Sequence, residues 1–120
     1  MSKKIAVITG AAGGIGREIV ASLIRDGVKC YGLDISKEGL NEIESTLSNE
    51  FVGIEVDLTK TEKILSSFKQ IETAEGGMDI LVNNVGTCLM SNFPDISVTE
   101  FELQMKLNFD SAFHCSQAAI

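Results

Sequence analysis

Ile5-Ala6-Val7-Ile8 is an unbroken apolar run that stops at Thr9-Gly10. A run without alternation is what a strand covered on both faces requires, so the chain opens on a buried, parallel-type strand. From Ile15 the period changes: Ile15, Ile19, Leu23 and Ile24 follow helical spacing, and Gly27 behind Arg25 and Asp26 supplies a stop. The unit then recurs. Cys30 to Leu33 predicts a second strand and Ser36 an N-cap, while Leu40, Ile43 and Leu47 line one face of a second helix whose first turn Gly39 weakens. Phe51 to Val56 predicts a third strand. Thr59-Lys60-Thr61-Glu62 has capping-box spacing and predicts a helix with Ile64, Leu65, Phe68 and Ile71 inward, closed by Gly76-Gly77. Ile80-Leu81-Val82 predicts a fourth strand that runs into Asn83-Asn84-Val85-Gly86 and a loop holding Pro94. Ser97-Val98-Thr99-Glu100 is a second capping box, opening one long helix through Phe101, Met105, Phe109 and Phe113 to the end of the chain.

Strands alternating with helices predict an α/β fold, a doubly wound parallel sheet of four strands with right-handed crossovers. The 120 residues, 44% of them apolar, suit a single domain spanning 1–120. A formal net charge of −7 makes nucleic acid and anionic membrane unfavourable partners. Cys30, Cys88 and Cys115 are odd in number and widely spaced, which fits neither a disulfide framework nor a zinc site and points to a reducing cytoplasm. After Met1, Lys3 and Lys4 precede only four apolar residues, too few for a secretory signal, and no apolar run approaches a membrane span.

The chemistry concentrates at the strand ends. Gly10-Ala11-Ala12-Gly13-Gly14-Ile15-Gly16 lies between the first strand and the first helix, where a dinucleotide pyrophosphate meets a helix N-terminus. Glycines there let backbone N–H groups approach the phosphates with no Cβ in the way. The spacing is Gly10-x-x-x-Gly14-x-Gly16 rather than G-x-G-x-x-G. Asp34 ends the second strand 18 residues after Gly16, near the offset at which a carboxylate takes the ribose hydroxyls; its charge repels a 2′-phosphate, which favours NAD. Asp57 and Leu58 end the third strand at the same edge, where they border an adenine unless Asp57 simply assists the cap at Thr59. Asn83 and Asn84 at the end of the fourth strand are expected to tie neighbouring backbone together through side-chain hydrogen bonds.

Taken in order, Thr9-Gly10-x-x-x-Gly14-Ile15-Gly16, Asp57-Leu58, Asn83-Asn84-Val85-Gly86 and Asn108 resemble the short-chain dehydrogenase/reductase family over the whole chain. The resemblance implies a Rossmann-type fold, a nicotinamide cofactor, and oxidation or reduction of a small-molecule alcohol/carbonyl pair. It assigns Gly10, Gly14 and Gly16 to the cofactor loop, Ile15 to the nicotinamide side, Asp34 to selection of NAD, Asp57 and Leu58 to the adenine, and Asn84, Val85 and Gly86 to the cofactor's flank. Neither Gly13 nor Ile35 carries the positive charge that NADP-dependent members place there, and Lys37 is the nearest base beyond. Asn108 matches an active-site asparagine at a helix irregularity that positions a water in a proton relay. Val85 replaces the usual alanine and brings two more methyl groups to the cofactor's side. The resemblance also implies homo-oligomers formed through the helix that begins near Asn108.

Members of that family use a Ser and a Tyr-x-x-x-Lys beyond the asparagine, and the only tyrosine here, Tyr31, lies upstream with Ile35 four residues on. His114, six residues past Asn108, falls about 240° around an ideal helix and so off that residue's face. No metal-ligand cluster stands out. Two readings follow: the cofactor-binding portion of an NAD-dependent oxidoreductase, truncated at its C-terminal end and inactive alone, or a naturally short nucleotide-binding or regulatory protein without redox activity.

Overall fold

A computed structural model describes residues 3–86 and 92–120, the side chain of Ser48 apart. Met1 and Cys88 lie outside the described residues. Four strands, β1 (Ile5–Thr9), β2 (Lys29–Asp34), β3 (Phe51–Glu55) and β4 (Ile80–Val82), form one parallel sheet in the order β3-β2-β1-β4. The chain therefore reverses direction of travel across the sheet between β1 and β4, the position at which open α/β sheets leave a crevice beyond their carboxyl ends. The connections carry α1 (Gly14–Arg25), α2 (Lys37–Leu47) and α3 (Thr61–Glu75); after β4 come α4 (Val98–Met105), a π-helical segment (Lys106–Asp110) and α5 (Ser111–Ala119).

The unbroken apolar run of β1 has the expected cause. Ile5 and Val7 belong to a core with Tyr31, Leu33, Ile64, Phe68, Ile71 and Cys115, whereas Ala6 and Ile8 face the opposite core with Val20, Cys30, Leu40, Ile43 and Phe51. Successive side chains of a strand point to opposite faces, so both must be apolar when α3 and α5 cover one face and α1 and α2 the other. Each of the larger side chains contributes about 1.5–3 kcal/mol by its removal from water.

Several local readings need correction. Thr59 does not cap α3: the N-cap is Lys60, without a side-chain bond, and the Thr59 hydroxyl donates to Asp57 Oδ1 at 2.7 Å. The Asp57 carboxylate accepts the Thr59 N–H at 2.9 Å as well, so the two residues close a turn one residue ahead of the cap. Leu65 is 55% exposed, because the stripe of α3 that meets the sheet and α5 is only wide enough for Ile64, Phe68 and Ile71. Gly76 does close α3, in a left-handed conformation with φ +83° and its N–H on Glu72 O at 2.8 Å. The long final helix is broken into α4, the π segment and α5, the Ser111 N–H reaching back five residues to Lys106 O. Phe101, Phe109 and Phe113 stand more than half exposed along it, and Met105 is 42% exposed. Asn83 is exposed and donates to the Ser116 hydroxyl rather than to backbone.

At the amino end of the sheet, Glu75 Oε2 accepts from Lys29 Nζ at 2.6 Å and from the buried Tyr31 hydroxyl at 2.5 Å. These bonds, the lysine's above all, hold the Glu75 carboxyl below the usual glutamate range, and burial pushes the Tyr31 hydroxyl up. A folded-state value depressed in this way contributes stability above the unfolded value that is lost as pH falls through the folded one. Glu75→Gln should therefore cost about 1–3 kcal/mol at pH 7 by urea denaturation, and the gap between variant and parent should close as the pH is lowered from about 5.

Candidate functional site

At the carboxyl end of β1, Thr9 is fully buried, and its Oγ1 accepts the N–H groups of Asn84 at 2.9 Å and Val85 at 3.1 Å. One hydroxyl thus fixes the backbone that leaves β4. Gly10 follows in a left-handed conformation, φ +66°, with its N–H on Leu33 O at 2.8 Å and its C=O accepting from Asn84 Nδ2 at 3.2 Å. A Cβ on Gly10 would lie 3.1 Å from Val85 Cα and 3.2 Å from Asn84 O, so both φ and space favour glycine. Asn84 accordingly ties backbone to backbone, as its position suggested.

Past Gly10 the loop turns into α1, whose N-cap is Gly13 with no side-chain cap and no acidic residue in the first turn. The first N–H groups of the helix, with the positive end of its dipole, face the crevice. A Cβ on Gly14 would meet no protein atom within 4 Å, whereas one on Gly16 would stand 2.2 Å from Gly10 O. Gly14 thus keeps the mouth open and Gly16 lets α1 close on the loop. Asp34 Oδ2 accepts the Ala12 N–H at 3.0 Å and Oδ1 the Ser36 N–H at 2.9 Å. The Ser36 hydroxyl caps α2 through Gly39 N at 3.1 Å, and a Cβ on Gly39 would lie 2.7 Å from Ala12 Cβ. What reads in the sequence as a weak helical turn is a point of close approach.

These elements enclose a cleft of about 650 Å³ that Gly10, Gly14, Ile15, Asp34, Asp57, Leu58, Asn84, Val85 and Gly86 all line. Gly16 lies buried behind it. Gly13 and Ile35 also line the cleft, and Val56, Thr59, Leu103 and Leu107, to which sequence reasoning gave no cleft role, complete its wall. Leu103 and Leu107 have the i, i+4 spacing of one helix face, the only available signal for them. Asp57 accepts the Thr59 N–H at 2.9 Å as well as its hydroxyl, and these bonds hold its carboxyl below the ordinary aspartate range. It serves the turn and borders the cleft together. Val85 packs its side chain against the α3-side core while lining the cleft. Lys37 faces elsewhere, onto a groove with Asn41, Glu55 and Gln70.

Asn108 sits inside the π segment, at the edge of the site rather than in the cleft wall. A Cβ at position 86 would stand 2.9 Å from its Oδ1, so Gly86 makes room for the carboxamide. The π register shifts the helix phase, so ideal-helix spacing from Asn108 to His114 does not apply; His114 is half-buried with its ring edge-on to Phe113. Burial raises the Cys30 and Cys115 thiols to about 11, which leaves them unreactive at neutral pH. Among the described residues no group of three His, Cys, Asp or Glu side chains is arranged to hold a metal ion. None of their helices is long and apolar enough to cross a membrane.

A glycine turn at the end of β1, an uncapped helix N-terminus and an acid at the end of β2, around one crevice, are the arrangement in which open α/β folds hold dinucleotides. The short chain dehydrogenase family model matches residues 4–120, and the chain belongs to that family. It is 32% identical over its full length to a 3-oxoacyl-(acyl-carrier-protein) reductase of Buchnera aphidicola, of which it covers 49%, and 31% identical to an uncharacterized oxidoreductase of Staphylococcus aureus, of which it covers 52%. The chain thus spans about half the length of these curated relatives. A crystal structure of a short-chain dehydrogenase/reductase from Brucella melitensis superposes with a TM-score of 0.92 at 25% identity, over 97% of this chain and 50% of that one.

Thr9→Val keeps the shape and removes the acceptor, leaving the Asn84 and Val85 N–H groups without it in a largely buried place. It should cost about 2–4 kcal/mol in urea denaturation, with Thr9→Ser recovering most of the loss.

Proposed function

We propose that this chain supplies the cofactor-binding portion, residues 1–120, of an NAD-dependent short-chain dehydrogenase that interconverts a small-molecule alcohol and its carbonyl partner. The observation that carries the choice of NAD is Asp34, whose carboxylate lines the cleft with no basic residue at Gly13 or Ile35. The residues fit such a group: glycines leave space before the N-terminus of α1, and the Asp34 oxygens, each accepting one backbone N–H, keep lone pairs for ribose hydroxyls.

In this reading Gly14 and Ile15 offer N–H groups to the pyrophosphate, Gly16 lets α1 close beneath the loop that holds it, and Asp34 receives the adenosine ribose. Leu58, Ile35, Leu103 and Leu107 give an apolar lining for the adenine. Asn84, Val85 and Gly86 flank the remainder. A nicotinamide dinucleotide supplies, when bound, the carbon that gives or accepts hydride. Asn108, held against Gly86 at the π segment, positions a water for proton transfer. A tyrosine acid/base and its lysine are absent from these 120 residues, so this chain alone binds cofactor without turning over substrate. Cytoplasmic location and homo-oligomeric assembly belong to the same proposal.

Two outcomes test it. Titration with NADH should quench or shift the nicotinamide fluorescence, and NADPH should bind at least about tenfold more weakly, the scale of one charge-assisted hydrogen bond; absence of NADH binding removes the reading. Asp34→Arg should reverse the preference, with a further loss of overall affinity because the Ala12 and Ser36 N–H groups lose their acceptor.

A further inference from the structure

The Asp34 carboxylate holds only one side of Ala12. On the other, Arg17 Nε donates to Ala12 O at 2.8 Å, so the peptide groups before and after this residue are each fixed by a charged side chain. Arg17 stands on the first turns of α1 and is half-buried. Its Nη1 is 3.5 Å from Glu42 Oε2 on α2, in an exposed pair of little energetic weight. Its Nη2 would lie 3.2 Å from a Cβ on Gly39, and that same Cβ would be 2.7 Å from Ala12 Cβ. The guanidinium therefore fills the seam between α1, the glycine loop and the first turn of α2, and Gly39 leaves it the room.

We propose that Arg17 is a positioning residue of the dinucleotide cleft, which sets the orientation of the Asp34 carboxylate by clamping Ala12 from the opposite side. The inference rests on the cofactor reading above. A loop free at Ala12 O would let the Ala12–Gly13 peptide rotate, and the backbone torsions of Ala12 that aim the preceding N–H at Asp34 Oδ2 would no longer be fixed from both sides. The remaining bond, from Ser36 N to Oδ1, fixes one oxygen and leaves the carboxylate free to turn about it. Ribose recognition and rejection of a 2′-phosphate then both weaken. The clamp requires a planar donor whose Nε–H points along the seam while the Nη groups face α2. Lysine offers one compact charge and cannot do both.

Arg17→Lys and Arg17→Gln test this with two readouts on the same preparations, in the full chain. Hydrogen exchange of residues 10–13 in the cofactor-free protein should speed up about tenfold in both variants. NADH affinity should fall about fivefold to tenfold, and the NADH-to-NADPH preference should shrink. Unchanged exchange in both variants overturns the clamp. An Arg17→Lys protein that keeps parental exchange and affinity, while Arg17→Gln loses them, overturns the geometric account and leaves only the charge. If exchange accelerates but the parent takes up no NADH, the cofactor reading falls and the cleft role of Arg17 falls with it. If the parent binds and the variants bind equally well, only the role of Arg17 is refuted.

Discussion

Everything at the carboxyl end of the sheet depends on how the chain leaves β1. Thr9 must end the central strand with its hydroxyl turned toward β4, and Gly10 must turn away at φ +66° where an added Cβ would come within 3.2 Å of the Asn84 and Val85 backbone. The tightness follows from topology: β1 lies between β2 and β4, so its continuation has to cross the gap where the connections diverge. A residue with a Cβ at position 10 would push the two sides apart. The cleft exists because this crossing is closed at its floor by backbone and open above.

From that junction the site is assembled outward by pairs of contacts between elements far apart in sequence. Asp34 reaches back to Ala12 and forward to Ser36, joining the glycine loop to the start of α2. Gly39 and Gly86 are empty for the same reason in different places: one admits the Ala12 methyl, the other the Asn108 carboxamide. The π segment adds a residue to the helical turn that carries Asn108, and the hydroxyl of Ser111, the first residue of α5, satisfies Leu107 O at 2.7 Å. A short polar side chain thus occupies a carbonyl at the point where the regular helix ladder is interrupted.

The acidic group at the other end of the sheet has a different task. Glu75 collects a lysine and a tyrosine hydroxyl at the end of α3, satisfying a phenol that would otherwise be buried without a partner. It lies away from the cleft-lining residues, so its contribution is to the fold.

The sequence by itself determined the strands, their parallel arrangement and most of the cleft, because unbroken apolar runs and glycine or acidic residues at their ends have few other physical explanations. Nine of the ten residues assigned to cofactor binding line one space, and the tenth, Gly16, lies directly behind it. Tertiary structure alone decided which polar groups meet. Thr59 reads as a helix cap until Asp57 is seen to hold its hydroxyl, and Gly39 reads as a defect until Ala12 is seen against it. Nothing in the sequence singles out Arg17, whose Nε is found on Ala12 O, five residues earlier, only once α1 has packed. Periodicity reports which face of an element is buried. It carries no information on contacts between loops, whose geometry is fixed only when the elements that support them have packed.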